Sequence, residues 1–328
     1  MDTFETLGAV AHPGGMLVCR PELTVGVVRA VSRPSSLEIE LLARLPLDRR
    51  DAAARQRDIR DGVTVRPAPR RLLPEYDEGM DLRVGRLDHT GRAHWEYPWS
   101  SSGWSGDDSS GSVGQSYRSA FRFPALFGET SFVFAWPEIG FPETVVTLPL
   151  PDRTTVARAA ISIWRAPLEV LPVPEGLTHV AGVHHHAPAV ESGTNVAPPR
   201  VLHRQDDRVA VVLTRLVAVG SLLSLELFSI GRAAGDVWEF VPFRRAPAAP
   251  DDPTWLRTGH SGASVAIVRG SEAVWLQHGD GSFFGGDRTV SGSQEFTVER
   301  PDDDVLDLIV AWPRAGLDDA RVRIPLTP

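Results

Sequence analysis

Apolar and polar residues alternate along most of this chain, and the alternation predicts short strands almost from end to end. Successive side chains of a strand fall on opposite faces, so a half-buried strand carries apolar residues at every second position. Residues 23–31 and 36–45 are β-rich in this way, with Arg33-Pro34-Ser35 between them as a turn signal. Within 82–97, LRVGRL and RAHWEY flank Asp88-His89-Thr90-Gly91 and read as a hairpin. Three more strands are expected near 117–123, 130–136 and 144–150. A second series follows at 208–219, 222–230, 263–269, 272–277, 294–299, 305–312 and 320–326. Phe132, Phe134 and Trp136 share one face, as do Leu306, Leu308, Val310 and Trp312. Val322, Ile324 and Leu326 point one way, while Arg321 and Arg323 point the other.

Two segments follow a helical period instead. Residues 152–164 open on Asp152 as a cap and place Val156, Ala160, Ile163 and Trp164 on one face. Residues 48–61 are polar nearly all round, with Asp51 and Arg55 at helical spacing, and predict an exposed helical insertion. The stretch 166–200 is Pro-rich, has no periodicity, and reads as a linker.

The two strand series repeat one another. FVFAWPEIGFPETVVTLPLP (132–151) aligns without a gap on LIVAWPRAGLDDARVRIPLT (308–327), with seven of twenty positions identical. Those seven include Trp136/Trp312, Pro137/Pro313 and Gly140/Gly316. Pro ends the strand after Trp, and Gly lets the turn close with positive φ. Upstream, Val25–Val28 matches Val209–Val212 at an offset of 184, and Leu37–Leu41 matches Leu223–Leu227 at 186. That difference implies a two-residue insertion. Trp95 pairs with Trp275. The expectation is an all-β chain of two tandem immunoglobulin-like antiparallel β-sandwiches from an internal duplication. Copy one spans 1–151, a helix plus linker 152–199, and copy two 200–328.

Composition narrows the setting. All 34 basic residues are Arg, which points to a GC-rich coding genome of the actinobacterial kind and removes lysine chemistry. Net charge is −8, with −1 on residues 1–165 and −7 on 166–328, so neither half is basic enough for general nucleic-acid binding. Cys19 is the single cysteine, as in a reducing compartment. The start, MDTFETLGAVAHPGGMLVC, has no basic n-region or apolar h-region, and no stretch is long and apolar enough to span a membrane. The cytoplasm is the expected location.

Candidate chemistry concentrates in loops. PWSSSGWSGDDSSGSVGQ (98–115) and HGDGSFFGGDRTVSGSQ (278–294) follow the two matched Trp strands. Trp99, Trp104, Phe283 and Phe284 sit there on Gly/Ser-rich backbone, which suits recognition of a protein or a sugar. The competing reading folds those aromatics onto their own sandwich. Asp107, Asp108, Asp280 and Asp287 offer oxygens for Ca²⁺ but lack the spacing of a calcium loop. His184-His185-His186 cannot all face one ion and have no Cys or acidic cluster beside them. No metal or cofactor is expected. Between Arg44 and Arg71, nine Arg stand against four acids, among them Arg49, Arg50, Arg55 and Arg57. They read either as a docking patch for an anionic surface, such as the acidic copy two of another molecule, or as a solvated insertion.

Gly259-His260-Ser261-Gly262-Ala263 resembles the nucleophile turn of chymotrypsin-like serine proteases. That resemblance implies Ser261 as a nucleophile. The family's Ala-Ala-His-Cys motif is absent, however, and His260 stands where the family usually has Asp. The G-x-S-x-G elbow fails too, since Ala263 replaces its second Gly. The expected function is therefore a non-catalytic cytoplasmic interaction or scaffold protein with a protein partner, free to form oligomers. A carbohydrate- or small-ligand-binding protein is the alternative, and a Ser261 hydrolase the weaker one.

Overall fold

The structure, a computed structural model, describes residues 5–44, 61–62, 67–74, 81–104, 116–183, 185, 188–232, 252–258, 261–285 and 289–327. The helix expected over 48–61, with Arg49, Arg50, Arg55 and Arg57, lies outside the described residues but for Asp61. The chain divides into two compact units, Gly8–Ala160 and Met1–Leu7 with Ile161–Pro328.

The first unit holds β1 (Ala9–Val10), β2 (Gly15–Cys19), β3 (Thr24–Arg33), β4 (Ser36–Arg44) and β5 (Arg83–Leu87). It continues with β6 (Ala93–Glu96), β7 (Ser100–Trp104), β8 (Ser116–Pro124), β9 (Gly128–Trp136), β10 (Phe141–Leu150) and helix α1 (Arg153–Ala159). One sheet runs β3-β4-β8-β7, with β1 and β2 both on the far edge of β3; the other runs β10-β9-β5-β6.

The second unit holds β11 (Thr178–Ala181), β12 (Thr194–Asn195), β13 (Arg200–Gln205), β14 (Val209–Val219), β15 (Leu222–Arg232) and helix α2 (Pro253–Thr258). Then come β16 (Ser264–Arg269), β17 (Glu272–Trp275), β18 (His278–Gly285), β19 (Thr289–Glu299), β20 (Val305–Trp312) and β21 (Leu317–Pro325). One sheet runs β14-β15-β19-β18, with β12 and β13 on β14; the other runs β11-β17-β16-β20-β21. All pairs among these strands are antiparallel except β11 with β17.

Eight strands are common to both units, and in each the first sheet runs first-second-sixth-fifth and the other fourth-third-seventh-eighth. That is the A-B-E-D and C′-C-F-G arrangement of the immunoglobulin sandwich. Each sandwich buries the inward positions of its strands. Phe121, Phe132, Phe134 and Trp136 lie in the first core, and Leu225, Phe296, Leu308 and Trp312 in the second. After each Trp a one-turn 3₁₀ segment, Pro137–Ile139 or Pro313–Ala315, ends at Gly140 or Gly316 with φ +79°. The glycine N–H donates back to the proline carbonyl in both.

Register corrects the expected insertion. Arg29 faces Glu40 across β3-β4, and Arg215 faces Glu226 across β14-β15, each pair following a bulge at Val28 or Thr214. Both strands therefore run at one offset, 186, and both hairpins turn through two residues, Pro34-Ser35 and Gly220-Ser221. A shift of two residues keeps every side chain on its face, so alternation alone could not separate 184 from 186. The likeness also starts earlier than expected. Gly8 and Gly193 both lie so close to the first common strand that a Cβ would collide with Val31 and the Ser32 carbonyl, or with Val217 and the Ala218 carbonyl.

The expected helix over 152–164 is shorter. The Asp152 carboxylate accepts from the Thr155 N–H at 2.8 Å, but Ala160 leaves helical geometry and only Val156 is buried within α1. Ile163 and Trp164 instead pack with Val201, Ala210 and Ile230 of the second unit. The stretch 166–200, expected as linker, carries β11 and β12 and belongs to that same unit.

Candidate interaction surface

The Gly/Ser-rich stretches expected as loops carry edge strands. β7 pairs residue by residue with β8, from Ser100–Ala120 to Trp104–Ser116, and β18 pairs with β19 from His278–Phe296 to Gly285–Val290. Ser and Gly have weak strand propensity; here the neighbouring strand's ladder supplies the pairing. Trp104 ends β7, and its side chain lies outside the described residues. Register makes Trp104 and Phe284 equivalent, since Ser101–Ser119 corresponds to Gly281–Gln294. Phe283 packs against the second core, over Gly292. Phe284 is 67% exposed. Trp99 precedes β7, donates its N–H to the Ala120 carbonyl at 3.0 Å, and is 50% exposed beside Tyr97 at 68%.

Trp99 does not stand alone. The Arg122 guanidinium lies 5.6 Å from its ring centroid, and Arg122 belongs to a charged face on β3, β4 and β8. Glu38 sits between Arg33 at 2.8 Å and Arg122 at 2.8 Å; Glu40 sits between Arg29 at 3.4 Å and Arg118. Burial alone would raise the Glu38 carboxyl, yet Arg33, with Arg29 and Arg122, holds it below its ordinary value. Among the described residues, these two ion-pair clusters gather four guanidiniums around two carboxylates. The Arg122 side chain is 41% exposed.

None of Arg29, Arg33, Arg118 and Arg122 was among the expected site residues. Their signal is the even spacing of Glu38 with Glu40 and of Arg118 with Arg122, which puts each pair on one face of a strand. In the second unit the same positions read Arg215, Val219, Ser293 and Thr297, with Ser224 and Glu226 for the two glutamates. Of the four arginines only Arg29 has a charged equivalent, Arg215, and of the two glutamates only Glu40, in Glu226. Arg215 is 2% exposed, with Nη2 at 3.1 Å from the Glu295 carboxylate and 3.2 Å from Ser224 Oγ.

The remaining candidates do not converge. Asp107, Asp108, Asp287, His184, His186 and His260 lie outside the described residues, and Asp280 falls within β18. Ser261 follows α2 in a bend, and no ionisable side chain is hydrogen-bonded to it among the described residues. No group of three metal-ligating side chains occurs among the described residues. Among them, too, no helix is long and apolar enough to cross a membrane.

No known family's sequence profile matches the chain, and no curated protein is similar to it. Among solved structures, bovine butyrophilin aligns over 89% of this chain and 92% of its own, at 11% identity and TM-score 0.20. A conserved domain protein from Bacillus anthracis aligns over 92% of this chain and 77% of its own, at 7% identity and TM-score 0.21. Scores this low carry no argument, and the fold assignment rests on the strand order of each unit.

Proposed function

We propose that this chain is a non-catalytic cytoplasmic interaction protein built from two copies of one duplicated sandwich, with the outer β3-β4-β8-β7 face of the first unit as its contact surface. One observation carries the reading. The second sandwich forms with Val219, Ser224, Ser293 and Thr297 where the first has Arg33, Glu38, Arg118 and Arg122. The fold does not need those charges. Partly covered except for Arg122, and edged by Trp99, they suit an acidic protein partner. Four guanidiniums already paired with carboxylates fall short of the roughly six to ten phosphate contacts of a duplex-binding protein, and of the polybasic clusters that hold anionic membranes. The shared register and strand order favour the duplication. The exposed, unpaired Cys19 favours a reducing compartment.

The test is anisotropy of a labelled oligo-glutamate peptide against the full chain. Saturable binding is expected at low ionic strength, and its loss is expected in Arg33→Val/Glu38→Ser/Arg118→Ser/Arg122→Thr, which installs the second unit's own residues. Equal binding by that variant ends the reading. The half-exposed Trp99 beside Tyr97 favours a second reading, a carbohydrate ligand; saturable glycan binding lost in Trp99→Ala would establish it. A fluorophosphonate probe is expected to leave the chain unlabelled, and labelling lost in Ser261→Ala overturns the non-catalytic assignment.

A further inference from the structure

We infer that β11 is an acid-released strap on the edge of the second unit, with His179 as its latch. The Trp275 indole is fully buried at the end of β17, and its N–H donates to His179 Nδ1 at 2.8 Å. The two ring planes lie only 12° apart. An indole N–H can only donate, so Nδ1 must keep its lone pair and the ring carries its own hydrogen on Nε2. A proton taken up by this ring lands on Nδ1 and sets one donor against another. His179 is exposed, so solvent can supply that proton, and imidazole is the side chain that titrates between about pH 5 and 8. The indole N–H then stays buried without an acceptor unless β11 moves away and admits water.

β11 is the element that yields. It is four residues long, sits at the edge of its sheet and runs parallel to β17. Two backbone bonds flank it, from the Thr178 N–H to the Ser271 carbonyl at 2.9 Å and from the Gly182 N–H to the Trp275 carbonyl at 2.8 Å. Leu177 and Ala181 pack on the cluster around Trp275 but stay partly exposed. The first unit holds its equivalent Trp95 without such a device, because that indole donates to the Leu72 carbonyl at 3.2 Å, an acceptor that does not titrate. Charged groups on the elements around β11 leave the ring to Trp275. Glu272 of β17 shares a face with Thr178, opposite to that of His179. Arg257 of α2 pairs with Asp319 at 2.9 Å, and Asp252 caps α2 through the Thr254 N–H at 2.9 Å. Glu175 and His185 flank β11 in sequence, and none of these groups hydrogen-bonds the ring among the described residues. The inference draws on the second unit alone and does not depend on the charged face of the first.

Hydrogen exchange of the full chain at pH 7.5 and pH 5, corrected for the intrinsic pH dependence of exchange, tests the inference. Protection over residues 178–182 is expected to fall at least about tenfold at the lower pH, the scale of one lost buried hydrogen bond. His179→Asn, whose amide oxygen accepts from the indole without titrating, should show no such fall. A second measurement needs no variant: in the wild type, the Trp275 indole proton resonance should move together with the titration of the His179 ring. Equal protection over 178–182 at both pH values, a fall of the same size in His179→Asn, or an indole proton that stays still while the ring titrates overturns the inference.

Discussion

The two units build one ladder of eight strands and then close its second sheet by different chemistry. In the first, Arg83 is buried against Glu138 at 2.5 Å, and Arg70 reaches the same carboxylate at 3.1 Å. Glu143 Oε1 accepts the backbone N–H groups of Arg71, Leu72 and Leu73, fastening that segment, and the Leu72 carbonyl accepts from the Trp95 indole. In the second unit, Ser264 and Arg314 stand where Arg83 and Glu138 stand in the first. There α2 takes over: Leu256 and Trp255 pack with Ala266, Trp275 and Ile309. The comparison separates what the fold demands from what each unit carries besides. Inward positions and turn geometry recur, whereas outward charges come and go.

The strongest test of that division is the shared Trp. Both Trp136 and Trp312 are fully buried at the end of the seventh common strand. Replacing either by Ala should cost about 3–5 kcal/mol, as for other buried aromatics. Urea unfolding of each variant measures it. A cost below 1 kcal/mol at one site alone would break the equivalence of the two cores.

Next comes the charge cluster, where the units should differ sharply. Glu138→Ala leaves Arg83 buried without its carboxylate, a change that costs about 3 kcal/mol or more. Arg314→Ala, at the equivalent surface position, should stay within about 0.5 kcal/mol. Similar costs at both would mean that the cluster is incidental to the first unit.

A smaller and symmetric effect is expected at the paired glycines. Gly8→Ala and Gly193→Ala each force a methyl into the first common strand, an overpacking worth about 1–3 kcal/mol. Thermal shifts of the two variants should match. A tolerated Ala at either site would show that the early strands do not seat alike.

How far the sequence could be read follows from the same division. Alternation and Trp-Pro-x-x-Gly report inward positions and a turn that needs a left-handed residue, and these recur in both units. The Ser/Gly runs of β7 and β18 have little propensity of their own, so their strands depend on β8 and β19 and look like loops. β11 and β12 are short pieces that pair only through tertiary neighbours. The offset error arose because a two-residue slip preserves facing. The Arg–Glu face was visible as even spacing, but nothing in one sequence tells surplus charge from ordinary solvation. That distinction needs the second unit for comparison.

The smallest effect concerns acid, and it distinguishes how each unit anchors its early strands. His12 Nδ1 accepts the Gly14 N–H at 3.2 Å in the first unit. His203 Nδ1 accepts the Arg204 N–H at 2.9 Å in the second, so its Nε2 carries the proton donated to the Asp318 carbonyl at 2.9 Å. Burial pushes both imidazoles below their ordinary value; for His203 it outweighs the opposing pull of the Asp318 carbonyl and of the Asp318 and Asp319 charges. The folded units therefore hold neutral rings, while the unfolded chain takes up protons near pH 6.5. Stability from each ring is complete above that pH and declines as pH falls below it toward the depressed folded value. Protonation also removes the Nδ1 acceptor in each case. Denaturation midpoints should fall between pH 7.5 and pH 5 in the wild type, and fall less in His12→Gln and His203→Gln. If the single variants lose as much as the wild type, the acid response lies in other groups and the two histidines do not anchor their strands.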